Sequence, residues 1–176
     1  MIVNPTSGNV TGEVLSLAER SFRLAGWSLE VAETKAHGHA RQLAAAAVAD
    51  GAEAIVVLGG DGTSMQAATA LANSEVPLGL LPGGTGNVLA GNLRLPTTVV
   101  RAVELITQGR TRQIDLGRLD RDDGLHYFGV ACGAGVDARV MGETAAGEKK
   151  RLGIGGYFQT LFRVIPAVRS VPFAVT

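Results

Sequence analysis

The chain has 176 residues, 46% of them hydrophobic, and its 16 Lys+Arg are balanced by 16 Asp+Glu. That length allows one domain, or one domain and part of another. The composition can bury a sizeable core, and zero net charge excludes a nucleic-acid protein held by bulk charge while leaving room for a site with a local basic lining.

The single cysteine, Cys132, excludes an internal disulfide and fits a reducing compartment. The longest apolar runs, such as LAAAAVA and AIVVL, are far shorter than a membrane span. MIVNPTSG has no basic stretch leading into an apolar one, as a secretory signal would. A cytoplasmic protein is expected.

The apolar, β-prone MIV ends at NPTSG, a turn signal. Residues 11–25 set Val14, Leu15, Leu17, Ala18, Phe22 and Leu24 at helical spacing, with Gly26 as the stop. WSLEVAET (27–34) alternates as a strand does, and HGHARQLAAAAVADG (37–51) predicts an alanine-rich helix closed by Gly51. AEAIVVL (52–58) reads as a buried strand, SMQAATALANS (64–74) as a helix and VPLGLLP (76–82) as a strand. GGTGNVLAGNL (83–93) turns into a short helix. TTVVRAVELITQG (97–109) is a further helix with Val99, Val100, Val103, Leu105 and Ile106 mostly on one face.

Residues 1 to about 109 therefore read β-α-β-α-β-α-β-α-α. Such alternation implies an α/β fold with a mostly parallel sheet covered on both faces. Ligands of such sheets sit outside the carboxyl ends of the strands. The turns there are NPTSG, ETKAHGHA, GGDGTSMQ and PGGTGN, so four polar, mostly Gly-rich stretches converge on one edge. After Gly109 the pattern changes. RTRQIDLGRLDRDDGLHYFGVAC reads as two strands around DRDDG, the antiparallel start of a β-rich unit over residues 110–176. A helix interrupted by glycines and Pro166 follows, then VPFAVT (171–176) begins like a strand. A strand without partners is marginal, so this second unit is expected to be incomplete.

No G-x-x-x-x-G-K-[ST] is present, so the chain is not a P-loop protein. GAGVDA (133–138) matches a dinucleotide fingerprint only weakly, with no acidic strand end about 20 residues on. GGDGT is more informative. Gly-rich turns between strand and helix cradle phosphate, yet this one carries Asp61, an anion. Mg²⁺ between carboxylate and phosphate would reconcile them; a plain Asp-Gly turn is the other reading. His37 and His39, two apart, do not share a helix face and do not form a metal pair. Cys132 reads as a core residue, EKKR (148–151) as a solvated face or a contact for anionic headgroups, and the apolar positions of 157–165 as core or a lipid-facing surface.

NPTSG, GGDGT and PGGTGN, in that order on successive strand ends, resemble the catalytic domain of the diacylglycerol kinase family. That family is grouped with sphingosine kinases and, more distantly, NAD kinases and phosphofructokinases. The resemblance runs over essentially the whole chain, through Thr34 with GHA at 38–40, IDLGRL, YFGVACGAGVDARV and KKRLGIGGY. It implies a Rossmann-like (NAD kinase/phosphofructokinase-like) N-terminal domain over 1–109, followed by the beginning of an incomplete β-sandwich domain. It also implies a lipid kinase that transfers the γ-phosphoryl of Mg-ATP to a lipid hydroxyl, most simply diacylglycerol giving phosphatidic acid. The lipid would enter between the domains, with peripheral membrane contact.

Carried over residue by residue, the nucleotide site comprises Asn4, Pro5, Thr6, Ser7, Gly8, Thr34, Gly59, Gly60, Asp61, Gly62, Thr63, Ser64, Met65, Gln66 and Thr85. Asp61 is expected near Mg²⁺ by way of the nucleotide. Thr63 can cap a helix or offer its hydroxyl to an anion, and Thr85 and Asn87 carry the same double reading, Asn87 as N-cap or site residue. Met65 and Gln66 stand where the family commonly has Asn and Glu, Val88 where Asp is frequent, and Gly91 where Arg is frequent. The first strand is short. The family's general base lies in a DGE-like motif far downstream; DDGLHY (122–127) is not at that position, so no catalytic base is expected within the chain. The alternatives are a nucleotide-binding fragment without turnover and an NAD-kinase-type enzyme with a soluble substrate. An incomplete sandwich would expose strand edges and favour self-association.

Overall fold

The computed structural model describes residues 1–121 and 124–131. Expectations for Asp122, Asp123, Cys132, GAGVDA, EKKR, the helix interrupted by Pro166 and VPFAVT fall outside those residues. The chain separates into two units, Met1–Val130 and Ala131–Thr176, and the first contains the architecture that follows.

Its elements are β1 (Ile2–Val3), α1 (Gly12–Leu24), β2 (Ala32–Glu33), α2 (His39–Ala49), β3 (Ile55–Gly59), α3 (Asp61–Leu71), β4 (Leu78–Pro82), α4 (Val88–Asn92), α5 (Val99–Thr107), β5 (Gly117–Arg121) and β6 (Gly124–Phe128). The first four strands form one parallel sheet in the order β2-β1-β3-β4. The chain therefore starts in the middle of the sheet, steps outward to β2, and returns to the other side of β1 as β3. Loops after β1 and β3 consequently diverge, and the crevice between them is the topological switch point where open α/β sheets place ligands.

β1, β3 and β4 divide their side chains between two cores, as the two-residue period of a strand requires. Ile55 and Val57 of β3 join Ile2, Leu80, and Ala40, Ala44, Ala67 and Leu71 of α2 and α3. Val56 and Leu58 join Val3, Leu81, and Ala18, Phe22, Ala102 and Val103 of α1 and α5. All five β3 residues are buried, which is why AIVVL is uniformly apolar rather than alternating.

Helix ends follow local chemistry. Thr11 caps α1, its Oγ1 accepting the Val14 N–H at 3.2 Å. Gly26 and Gly51 leave α1 and α2 at φ 81° and 86°, the left-handed conformation that ends helices. α3 starts at Asp61, three residues earlier than the apolar pattern marks, because extended Gly60 serves as N-cap and its carbonyl receives the Ser64 N–H at 3.0 Å. β2 is shorter than the alternation over 27–34 suggests. Trp27 is drawn back onto Phe22, with ring centroids 5.6 Å apart, and its N–H donates to the Phe22 carbonyl.

β5 and β6 pair antiparallel, from Gly117 opposite Phe128 to Arg121 opposite Gly124, as DRDDG between two runs implies. The Phe128 ring covers Gly117 so closely that no Cβ fits there. Gly129 lies against Met65 of α3, Leu89 of α4 and Leu116, so the hairpin's end meets the α/β layer. No helix among the described residues is long and apolar enough to cross a membrane.

Phe22 is fully buried between α1, α5 and the sheet. Phe22→Ala is expected to cost about 3–5 kcal/mol in chemical denaturation, with a red-shifted Trp27 emission. A loss below about 1 kcal/mol would show that this core relaxes to fill the space.

Candidate functional site

Three loops meet at the switch point, and Asn4 locks two of them. Its N–H donates to the Leu58 carbonyl at 3.0 Å, fixing the exit of β1 against β3. Its Oδ1 accepts the Thr6 N–H and hydroxyl at 3.1 and 2.8 Å, turning the chain sharply at NPTSG. Its Nδ2 donates to Thr63 Oγ1 at 2.9 Å, across to the first turn of α3. Thr63 is buried, and accepting from Asn4 leaves its own hydroxyl proton to donate.

GGDGT and PGGTGN lie backbone against backbone. A Cβ on Gly84 would stand 2.6 Å from Gly60 Cα, and one on Gly83 would stand 2.7 Å from Gly59 N. The Gly83 N–H donates to the Gly59 carbonyl at 3.1 Å. Asn9 ties the first loop into the same knot, its N–H donating to Gly83 O at 3.0 Å and its Nδ2 to Gly84 O at 2.8 Å.

Asn87 stands at the N-cap of α4 but makes no capping bond. It adopts φ 47° and exchanges two bonds with Gly84, its Oδ1 accepting the Gly84 N–H at 2.9 Å and its Nδ2 donating to Gly84 O at 2.7 Å. The cap comes from another helix. Asp61 Oδ2 accepts the Val88 N–H at 3.0 Å and Asp61 Oδ1 accepts the Leu89 N–H at 2.9 Å. This carboxylate thus sits on the positive end of α4.

A cleft of about 460 Å³ opens at the loop edge. Of the residues expected in a nucleotide site, Asn4, Thr6, Ser7, Thr34, Gly60, Gly62, Thr63 and Gln66 line it. Pro5, Gly8, Gly59, Asp61, Ser64, Met65 and Thr85 are not among the lining residues. Ser64 turns its hydroxyl to the Gly60 carbonyl at 3.1 Å, Met65 packs on the core, and Thr85 Oγ1 lies against Gly8. Lys35, Ala36 and His37 join the lining instead. The loop after β2 folds back because His39 Nδ1, at the start of α2, accepts the Lys35 N–H at 3.0 Å. A lysine directly after Thr34, in the loop that follows β2, was the available signal for this wall.

The lining includes Lys35 and no carboxylate. The first amides of α3, at Asp61, Gly62 and Thr63, have no carbonyl partner within the helix and lie at its positive end. Together with the Thr63 hydroxyl, they suit an anion of the size and chemistry of a phosphate. Among the described residues no group of three or more His, Cys, Asp or Glu could hold a metal ion.

The sequence model of the diacylglycerol kinase catalytic domain matches residues 1–119. The chain is similar to a diacylglycerol kinase of Mycobacterium tuberculosis, 35% identical over 98% of this chain and 56% of that protein. It is also similar to a Xanthomonas campestris protein named "Probable lipid kinase YegS-like", 38% identical over 79% of this chain and 47% of that one. A diacylglycerol kinase structure from Bacillus anthracis superposes with a TM-score of 0.59 at 31% identity, covering 65% of this chain and 43% of that chain. The chain spans about half the length of the curated relatives it matches.

Two glycines of the site should respond oppositely to a methyl group. Gly84→Ala is expected to lower stability by about 1–3 kcal/mol, because backbone rather than a flexible side chain blocks the Cβ. Gly62→Ala, with nothing within 4 Å of its Cβ position, should be neutral or stabilising by roughly 0.5–1 kcal/mol. Equal thermal midpoints for the two variants would contradict the close backbone approach.

Proposed function

We propose a phosphoryl-transfer function from one premise: the chain belongs to the diacylglycerol kinase catalytic domain family, whose sequence model spans residues 1–119. The cleft at the switch point seats the nucleoside triphosphate, with Mg-ATP as the donor. The acceptor is a lipid hydroxyl, with diacylglycerol yielding phosphatidic acid. Because diacylglycerol resides in a bilayer, the protein works in peripheral contact with a membrane. The α/β part to about residue 109 is the donor side, and the hairpin β5–β6 begins the acceptor side.

The observation that carries this reading is the pairing of the α3 first turn with Lys35 in a cleft whose lining contains no acid. Phosphoryl transfer asks a protein for positioning and charge stabilisation more than for covalent chemistry. In this reading the Gly62 and Thr63 amides and the Thr63 hydroxyl hold phosphate oxygens. Asn4 keeps Thr63 in place, and Lys35 offsets the phosphate charge. Mg²⁺ enters as part of the substrate and screens the charge that develops between the terminal phosphates.

The same lining favours a second reading. It offers no carboxylate to orient an acceptor hydroxyl, so residues 1–131 on their own would bind nucleotide without turnover. Transfer of labelled phosphate from ATP to diacylglycerol in mixed micelles separates the two. Labelled phosphatidic acid from the 176-residue chain supports turnover; ATP binding without product supports the second reading. An absence of ATP binding would sink both.

Lys35→Ala is expected to weaken ATP binding about tenfold at low salt, the loss of one charge-assisted contact, and less at high salt as screening grows. Unchanged affinity at low salt would remove Lys35 from the phosphate-binding wall.

A further inference from the structure

We infer that Asp61 is a positioning residue: its carboxylate clamps the start of α4, and with it the Gly83–Gly86 loop, onto the first turn of α3, rather than ligating Mg²⁺. The inference rests on the nucleotide reading of the cleft for its functional consequence, but its geometry stands apart from it.

Both carboxylate oxygens are engaged, on successive amides 27 and 28 residues further along the chain. α4 depends on this contact because Asn87, at its own N-cap position, is committed to Gly84. Two amide bonds at a helix N-terminus partly offset the charge of a carboxylate. Asp61 thus has a structural reason to stand in a phosphate-type loop that does not involve a cation. The side chain is directed to α4 and is not among the residues lining the cleft, whereas its neighbours Gly60, Gly62 and Thr63 are.

The clamp closes a frame. Gly60 touches Gly84, Gly84 bonds Asn87, and Val88 and Leu89 bond back to Asp61. Leu89 is buried in the core between α2, α3 and the sheet. Releasing Asp61 therefore loosens the seat of PGGTGN against GGDGT, and the anion-binding first turn of α3 loses one of its supports. The effect on a ligand is a lower population of the competent arrangement, which reduces apparent affinity by that fraction.

Two variants grade the clamp. Asp61→Asn is isosteric and keeps one acceptor; Asp61→Ala keeps none. ATP affinity is expected to fall about threefold in the first and about tenfold in the second, in line with the loss of a helix cap. Each factor should be the same with Mg²⁺ and with EDTA. Hydrogen exchange of the Val88 and Leu89 amides should speed up in both variants, more in Asp61→Ala. Thermal midpoints should drop by only a few degrees, as expected for the loss of one cap in a chain of this size, so folded protein remains for both measurements. A loss of affinity confined to Mg²⁺-containing buffer would overturn the clamp and make Asp61 a metal ligand. Unchanged exchange at Val88 and Leu89 in Asp61→Ala would also overturn it. If the wild-type chain binds no ATP, the nucleotide reading falls, and the exchange measurement alone decides the clamp.

Discussion

Two pairs of glycines pressed together without side chains, Gly59–Gly60 against Gly83–Gly84, are the constraint around which the site is built. Because β3 and β4 are adjacent and parallel, with Gly59 opposite Pro82, their following loops must leave the sheet side by side. Side chains there would hold the loops apart. Their absence lets Asn9 and Asn87 reach the Gly84 backbone and lets Asp61 reach α4. The polar bonds of the site are thus downstream of a steric condition.

The sheet order supplies the opening that these loops surround. β1 lies between β2 and β3, so the helices following β1 and β3 go to opposite faces. α1 packs with α5 against Val56 and Leu58, and α3 packs with α2 against Ile55 and Val57. The gap between diverging connections is then available to a ligand, with α3 presenting its N-terminus along one side. Asn4 bridges the gap at its base through Thr63, so the opening has a fixed floor while its walls are loops.

Much of this was legible in the residues. The two-core sheet follows from uniformly apolar strands and from helices closed by Gly26 and Gly51, because burial on both faces leaves a strong signal. The loop edge followed from topology alone. What the sequence hid was contact between segments far apart. Asp61 reads locally as a turn residue or a phosphate-side acid, since nothing within a few residues shows that its partners are Val88 and Leu89. Asn87 reads as a cap or a site residue from its type and position, while the cap actually comes from Asp61 of α3. Lys35 was hidden by a loop whose path depends on His39 Nδ1 accepting a backbone N–H. The alternation over 27–34 promised a longer β2, but a ring contact between Trp27 and Phe22 takes the start of that segment.

The five-residue α4 has a consequence for the order of assembly. So short a helix has no stability of its own in water, because nucleating it costs more than its few internal bonds return. Its cap arrives from a residue that precedes it by an entire strand and helix. α4 therefore cannot serve as a local seed in folding. It becomes helical only after β3, α3 and β4 have met, when loop-closure entropy has already been spent on the sheet. The chemistry at the loop edge is accordingly a late product of folding, and no isolated stretch containing GGDGT or PGGTGN would carry it.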